Sequence, residues 1–218
     1  MPELNEKTLE LNITHEILGF VHRFDPHAFA FGTTMMQEHQ GGYDSRVLSS
    51  LPGFWQAAVL QYKRPFEMRQ DIQGNPAFWF RINNNRHNDQ HRILCHLAAG
   101  RPNIAMYVFP AFVTLRDLEQ HVHRLLSRTY LADATDIPPA FVGSTPHDVE
   151  VVPHRLMATV HSERHEVKVR IFENLSPLLD GRQIGLPMEF LLSNARREPP
   201  KGTGTRRARF HFMVLPGQ

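Results

Sequence analysis

The sequence predicts an α/β fold with a mixed sheet and a β-rich C-terminal extension. Three observations lead there. Gly42-Tyr43-Asp44 and the apolar run Ala57-Ala58-Val59-Leu60 with Gln61-Tyr62-Lys63 flank a turn-rich Ser49-Ser50-Leu51-Pro52-Gly53, the pattern of a β-hairpin. A strand–helix–strand succession between residues 77 and 109 suggests a crossover unit with parallel pairing. After residue 148, short stretches alternate or run apolar in the manner of strands.

The elements follow in order. Leu9, Leu11 and Ile13 alternate like a strand, whereas Ile17, Leu18 and Val21 have helical spacing. A short strand or helix entry leading into a helix over 14–23 accommodates both. Residues 24–31, with Asp25-Pro26 and several aromatics, read as a loop packed on the core. Strands are expected over 42–49, 57–63 and 77–82, with a polar stretch at 66–76 turning at Gly74-Asn75-Pro76. Asn88 suits a helix N-cap, and Ile93, Leu94, Leu97 and Ala98 mark the apolar face of a helix over 89–99 that Gly100 and Pro102 stop. A buried strand spans 104–109. Thr114 with Asp117 resembles a capping box, and helical spacing continues to about Tyr130. Residues 131–148 read as loop. Strands are expected at 149–152, 156–161, around Val167, Val169 and Ile171, and at 207–215, with a short helix at 186–194.

At 218 residues the chain suits one sizeable domain, divided here into a core over 1–130 and an extension over 131–218 packed on it. No apolar run approaches the roughly 18 residues that cross a bilayer, which argues against a membrane protein. The N-terminus lacks the basic-then-apolar layout of a signal peptide, and the single cysteine, Cys95, rules out an internal disulfide, so a cytoplasmic setting is expected. Cys95 reads as an inert helix residue. The net charge of +2 says little about partners. However, Arg196, Arg197, Lys201, Arg206, Arg207 and Arg209 face only Glu198. That patch suits a phosphate backbone, with a solvated tail as the plain alternative.

Side chains two apart on a strand share a face, so Gln61 and Lys63 point one way and Tyr62 the other. A turn near Pro52-Gly53 sets Asp44 across from residues 61–63. An acid, an amide oxygen and an ammonium then converge on one side of a sheet. A surface ion pair worth under about 1 kcal/mol is the plain alternative. Counting back from Ile93 and Leu94 puts Gln90 on the inner face of its helix, where it needs a partner unless it reaches water at the stripe's edge.

Other chemistries are weakly supported. There is no Gly-x-Ser-x-Gly elbow, and Gly202-Thr203-Gly204-Thr205 lacks the ending of a phosphate loop. His87 with His91, and His161 with His165, have four-residue spacing but no thiolate or third ligand for zinc. His121 and His123 are expected on a solvated helix face.

Gly42-Tyr43-Asp44 followed by Gln61-Tyr62-Lys63 at the end of an apolar strand resembles the PD-(D/E)xK nuclease superfamily, and the Gln-x-Lys form resembles its Mrr-like restriction endonuclease branch. The expected element order over about residues 10–110 is similar to that family's αβββαβ core. The resemblance therefore implies a restriction-endonuclease-like core carrying the β-rich extension. It implies that Asp44 binds Mg²⁺ (or Mn²⁺), that Gln61 stands where a second acid is usual, and that Lys63 is the catalytic lysine. Glu38 is the candidate for an acid on the first helix, with Glu10 and Glu16 competing, and Gln90 is a supporting residue. Hard oxygen ligands suit Mg²⁺, and a fixed cation compensates charge developing on a phosphate. An uncharged Gln61 favours one metal over two.

The implied function is endonucleolytic hydrolysis of DNA, in a setting such as bacterial defence against foreign DNA. Arg64 and the arginine-rich segment would hold phosphates. The alternatives are a non-cleaving nucleic-acid-binding or scaffold subunit tethered to a partner enzyme, and a small-molecule enzyme using the histidines. The region after 145 is a possible dimerisation or partner-docking face.

Overall fold

A computed structural model describes residues 4–23, 26–32, 44–51, 54–82, 90–99, 104–137, 147–161 and 165–171. The elements expected at 186–194 and 207–215 lie outside them.

The chain opens with one helix, α1 (Glu6–Val21), rather than a strand entry and a helix over 14–23. Asn5 caps it, its Oδ1 accepting from the Thr8 N–H at 2.7 Å. Leu9, Ile13, Ile17 and Val21, spaced by four, are buried. Leu11, whose alternation suggested a strand, is 62% exposed.

A six-stranded mixed sheet receives this helix. Its order is β1 (Phe29–Gly32), β2 (Ser45–Leu51), β3 (Phe54–Tyr62), β6 (Ala105–Pro110), β7 (Thr129–Asp133), β11 (Arg170–Ile171). β1 overlaps the end of the stretch expected to be loop over 24–31. β2 and β3 form the expected hairpin, and β3 runs parallel to β6, with Gln61 opposite Tyr107. The other adjacent pairs are antiparallel.

The strand expected at 77–82 forms as β5 (Pro76–Ile82), but in a second sheet. That sheet is antiparallel, in the order β10 (His165–Lys168), β9 (Met157–Val160), β8 (His147–Val152), β5, β4 (Pro65–Gln70). β4 thus occupies the first part of the polar stretch expected over 66–76, and Gly74, at φ 81°, completes the β4–β5 turn. Strands from before and after residue 130 share both sheets.

Helix α2 (Gln90–Ala98) sits where expected. The next helix is far shorter than its spacing suggested. α3 (Leu115–Gln120) begins at the expected Thr114 cap and is over by His121. His123 then takes a left-handed φ of 73°, a 3₁₀ turn spans Leu125–Arg128, and β7 follows. Leu125 and Leu126 are buried in that turn, not on a helix.

The mixed sheet separates two apolar clusters. On one face, α1 packs against Val47, Leu60, Tyr62, Met106, Val108 and Leu131. On the other, Leu94 and Ala98 of α2 and Phe78, Phe80 and Ile82 of the second sheet cover Val59, Ala105, Tyr107 and Phe109. The strand period of two therefore sends Leu60 and Tyr62 towards α1 and Val59 towards α2.

Among the described residues, no helix is long and apolar enough to cross a membrane.

Candidate functional site

Polar side chains from three elements meet on the α2 side of the mixed sheet. Asp44 immediately precedes β2 and continues its ladder, its N–H donating to the Leu60 carbonyl at 3.0 Å. Gln61 lies near the end of β3. Lys63 directly follows that strand, its N–H donating to the Val108 carbonyl of β6 at 3.0 Å. Gln90 is the first residue of α2. All four are buried.

They form a continuous hydrogen-bonded chain. Lys63 Nζ donates to Gln90 Oε1 at 2.9 Å. Gln90 Nε2 donates to Gln61 Oε1 at 2.7 Å. Gln61 Nε2 donates to Asp44 Oδ2 at 2.7 Å and to the Tyr62 carbonyl at 3.2 Å. The backbone N–H of Tyr62 also donates to Asp44 Oδ2, at 2.7 Å. The ammonium and the carboxylate are thus joined through two amides, each using both its oxygen and its nitrogen. Gln90 does not merely reach water at the helix edge.

The opposite face of β3 supplies the framework. Tyr62 points its hydroxyl to Thr14 of α1, 2.8 Å away. Burial raises the Tyr62 phenol far above its ordinary range, so the ring stays neutral. Behind α2, His91 Nδ1 lies 3.1 Å from the Tyr107 hydroxyl, joining the helix's first turn to the strand beside Gln61.

The remaining candidates separate clearly. Glu16 is spent on structure: its carboxylate accepts from the N–H groups of Leu125 and Leu126 at 2.9 and 3.4 Å. Glu10 is buried on the sheet-facing side of α1, with Lys7 Nζ 2.6 Å from Oε2. Its Oε1 lies 3.4 Å from where a Cβ on Gly32 would stand, and the Asp44 carbonyl 3.9 Å from the same point. Glu10 is therefore the described helix acid nearest the start of β2. Glu38, Arg196, Arg197, Lys201, Arg206, Arg207 and Arg209 lie outside the described residues. Arg64 is turned to the start of α1: its N–H donates to Glu6 Oε2 at 3.0 Å and its guanidinium to the Leu4 carbonyl at 2.7 Å.

No match to this chain is found among protein-family models, curated proteins or solved structures. Among the described residues, no three His, Cys, Asp or Glu side chains group as a metal site. Oxygen ligands are nevertheless at hand. Asp44 Oδ2 and the Tyr62 carbonyl converge on the Gln61 NH₂, the electropositive end of an amide whose other end is an oxygen. A carboxylate and a backbone carbonyl, joined by the amide oxygen once the Gln61 amide is turned over and supplemented by waters, would form a donor set of the kind Mg²⁺ accepts.

The histidines point elsewhere. His161 stacks on Trp79 at 4.3 Å and lies 2.9 Å from Glu150 on the second sheet. His121, expected on a solvated face, is half-buried beside Asp117 and Arg128. His87 lies outside the described residues. Cys95 is a poor nucleophile, because burial and the nearby Asp133 charge push its thiol up to about 11.

One contributor was not singled out by sequence reasoning, the Tyr62 carbonyl. The residue between Gln61 and Lys63 offered a clue only through its position, since a backbone group carries no residue-type signal.

Proposed function

We propose that this chain is a metal-dependent phosphodiesterase of restriction-endonuclease type, hydrolysing DNA. The observation that carries the reading is the buried assembly of Asp44, Gln61 and Lys63 on adjoining strand ends, linked through Gln90. A buried lysine bonded to an amide, with a buried carboxylate at the far end of the same hydrogen-bonded chain, is costly to a core, and apolar residues would pack there as well. Element order supports the same reading. α1, β1, β2, β3, α2 and β6 occur in αβββαβ order, with β1–β2–β3–β6 adjacent and β6 parallel to β3. The β4–β5 hairpin is then an insertion that joins the second sheet.

In this reading Asp44, the Tyr62 carbonyl and a turned-over Gln61 Oε1 would hold one Mg²⁺ or Mn²⁺, with Glu10 of α1, or Glu38 outside the described residues, as the further acid. When bound, the ion would supply Lewis-acid chemistry at the phosphate. The protein's own groups do the rest. Asp44 fixes the site against β3 through the Tyr62 N–H. Lys63 places positive charge beside the scissile phosphate, where negative charge grows as the attacking oxygen bonds to phosphorus and the leaving oxygen departs. The low-dielectric surroundings of a buried lysine strengthen that effect. Arginines of the 196–209 segment would hold flanking phosphates. Defence against foreign DNA is a role in keeping with such an enzyme.

A second reading is a non-cleaving nucleic-acid-binding or scaffold subunit working with a partner enzyme. Its support is the direction of the Gln61 amide, whose NH₂ satisfies Asp44 without any cation.

Incubating the full chain with supercoiled plasmid in Mg²⁺, in Mn²⁺ and in EDTA, beside Asp44→Ala and Lys63→Ala, tests the proposal. Metal-dependent nicking or linearisation that both variants lose is the expected result. Equal cleavage by the variants would sink the assignment. Silence from every form, with no Mg²⁺ binding by calorimetry, would favour the scaffold.

A further inference from the structure

We propose that the Gln61 and Gln90 amides act as a two-position relay that couples filling of the Asp44 site by a divalent cation to release of Lys63 from Gln90. The inference rests on the nuclease reading and concerns the regulation of that same site.

The hydrogen bonds from Lys63 to Asp44 all run in one direction. Each step places a donor nitrogen against an acceptor oxygen, from Lys63 Nζ to Gln90 Oε1, Gln90 Nε2 to Gln61 Oε1, and Gln61 Nε2 to Asp44 Oδ2. A primary amide has an oxygen at one corner and an NH₂ at the other, so the orientation of one amide dictates that of the next. With Lys63, which only donates, at one end and Asp44, which accepts when ionised, at the other, the chain has one fully bonded polarity. This is the polarity of the latched state.

A divalent cation requires the opposite arrangement at Gln61. It binds amide oxygen and is repelled by the NH₂ group that now points at Asp44 Oδ2 and the Tyr62 carbonyl. Gln61 must turn over, carrying Oε1 towards Asp44 and Nε2 towards Gln90. Gln90 then faces a donor with its own NH₂ and turns in response, presenting Oε1 to Gln61 and Nε2 to Lys63. Two donors now oppose each other, and the Lys63–Gln90 bond is lost.

Burial decides which bond is given up. Gln61 is 0% exposed, so an unmade hydrogen bond there would be sealed from water. Lys63 is 7% exposed and carries its ammonium on a four-carbon stem with rotatable donors, which lets it turn to a phosphate. The lysine is thus withheld until the cation arrives, and is freed in the same event. Only hydrogen bonds are exchanged, with no proton transferred and no covalent bond formed.

The test is a Mg²⁺ titration of the full chain labelled with ¹⁵N at glutamine side chains, following the Gln61 and Gln90 NH₂ signals by NMR. Gln61→Met and Gln90→Met provide the assignments. Calorimetry then compares Mg²⁺ affinity in the wild type and Gln90→Met. Both signals are expected to move together with one midpoint. Gln90→Met, which removes the latch, should bind Mg²⁺ about fivefold more tightly, the equivalent of one ordinary hydrogen bond. A shift at Gln61 alone, or unchanged affinity in Gln90→Met, would overturn the relay and leave the nuclease reading standing. No Mg²⁺ binding by the wild type, or equal binding by Asp44→Ala, would overturn both. Should a variant fold poorly, triple-resonance assignment of the wild-type side chains replaces it, and the wild-type titration still decides the main point.

Discussion

The carboxylate of Asp44 and the backbone N–H of Tyr62 are 2.7 Å apart, so the acid is fixed to the strand that carries Gln61 and Lys63. Asp44→Ala removes the acceptor from that N–H and one of two acceptors from the Gln61 NH₂. An expected loss of about 1–3 kcal/mol follows from stranding buried donors. Denaturant unfolding measures it, and cleavage by the folded fraction should fall at least about 100-fold. A variant as stable and as active as the wild type would contradict this structural and catalytic account together.

Glu10 and Glu16 lie six residues apart on α1 and should differ in what they do to the metal site. Glu10 is itself buried although its Lys7 partner is 58% exposed, so Glu10→Ala should cost about 1–2 kcal/mol. If Glu10 is the helix acid of the metal site, its loss weakens Mg²⁺ binding and cleavage about tenfold or more. Glu16→Ala strips the cap from the Leu125 and Leu126 N–H groups, at a cost of about 1–2 kcal/mol. Its cleavage per folded molecule should be unchanged. Finding Glu16 to be the residue that affects Mg²⁺ affinity would reverse the assignment.

Alkaline pH should unfold the protein through its buried phenols and thiol. Burial raises Tyr62 and Tyr107 above the ordinary phenol value of 10.0, and moves the Cys95 thiol from 9.0 to about 11. The folded state therefore holds these protons more tightly than the unfolded chain. Their contribution is fully present below pH 9 and declines as pH rises, with Cys95 acting over roughly 9 to 11 and the phenols from 10 upward. Denaturation midpoints measured from pH 8 to 11 should fall accordingly, and Tyr107→Phe should flatten the upper part of the decline. A flat profile would show that these groups are solvated.

Cys95 should be slow to alkylate. With its thiol near 11, about one molecule in a thousand carries the thiolate at pH 8. Iodoacetamide should modify the unfolded chain far faster than the folded one, and Cys95→Ala should cleave like the wild type. Rapid, inactivating alkylation of the folded protein would bring the thiol back into the chemistry.

The site was more legible in the sequence than the framework around it. Strand periodicity placed Gln61 and Lys63 on one side, and counting back along an amphipathic helix placed Gln90 on its inner face, because both patterns are local. What failed depended on distant partners. Phe78, Phe80 and Ile82 declare a buried strand but carry no sign of which strands they join, so the second sheet was hidden. The helical spacing through Leu125 and Leu126 continues across a left-handed His123 that only the folded backbone reveals. The four-residue edge strand β1 is too short for alternation to distinguish it from loop.

The chain leaves one sheet for the other within a single residue. Lys63 is bonded to β6 through its N–H, Arg64 to α1, and Pro65 already pairs with Phe80 in the second sheet. The lysine therefore stands at the crossing from one sheet to the other, and its backbone position is set by the mixed sheet on one side and, one residue on, by the second sheet.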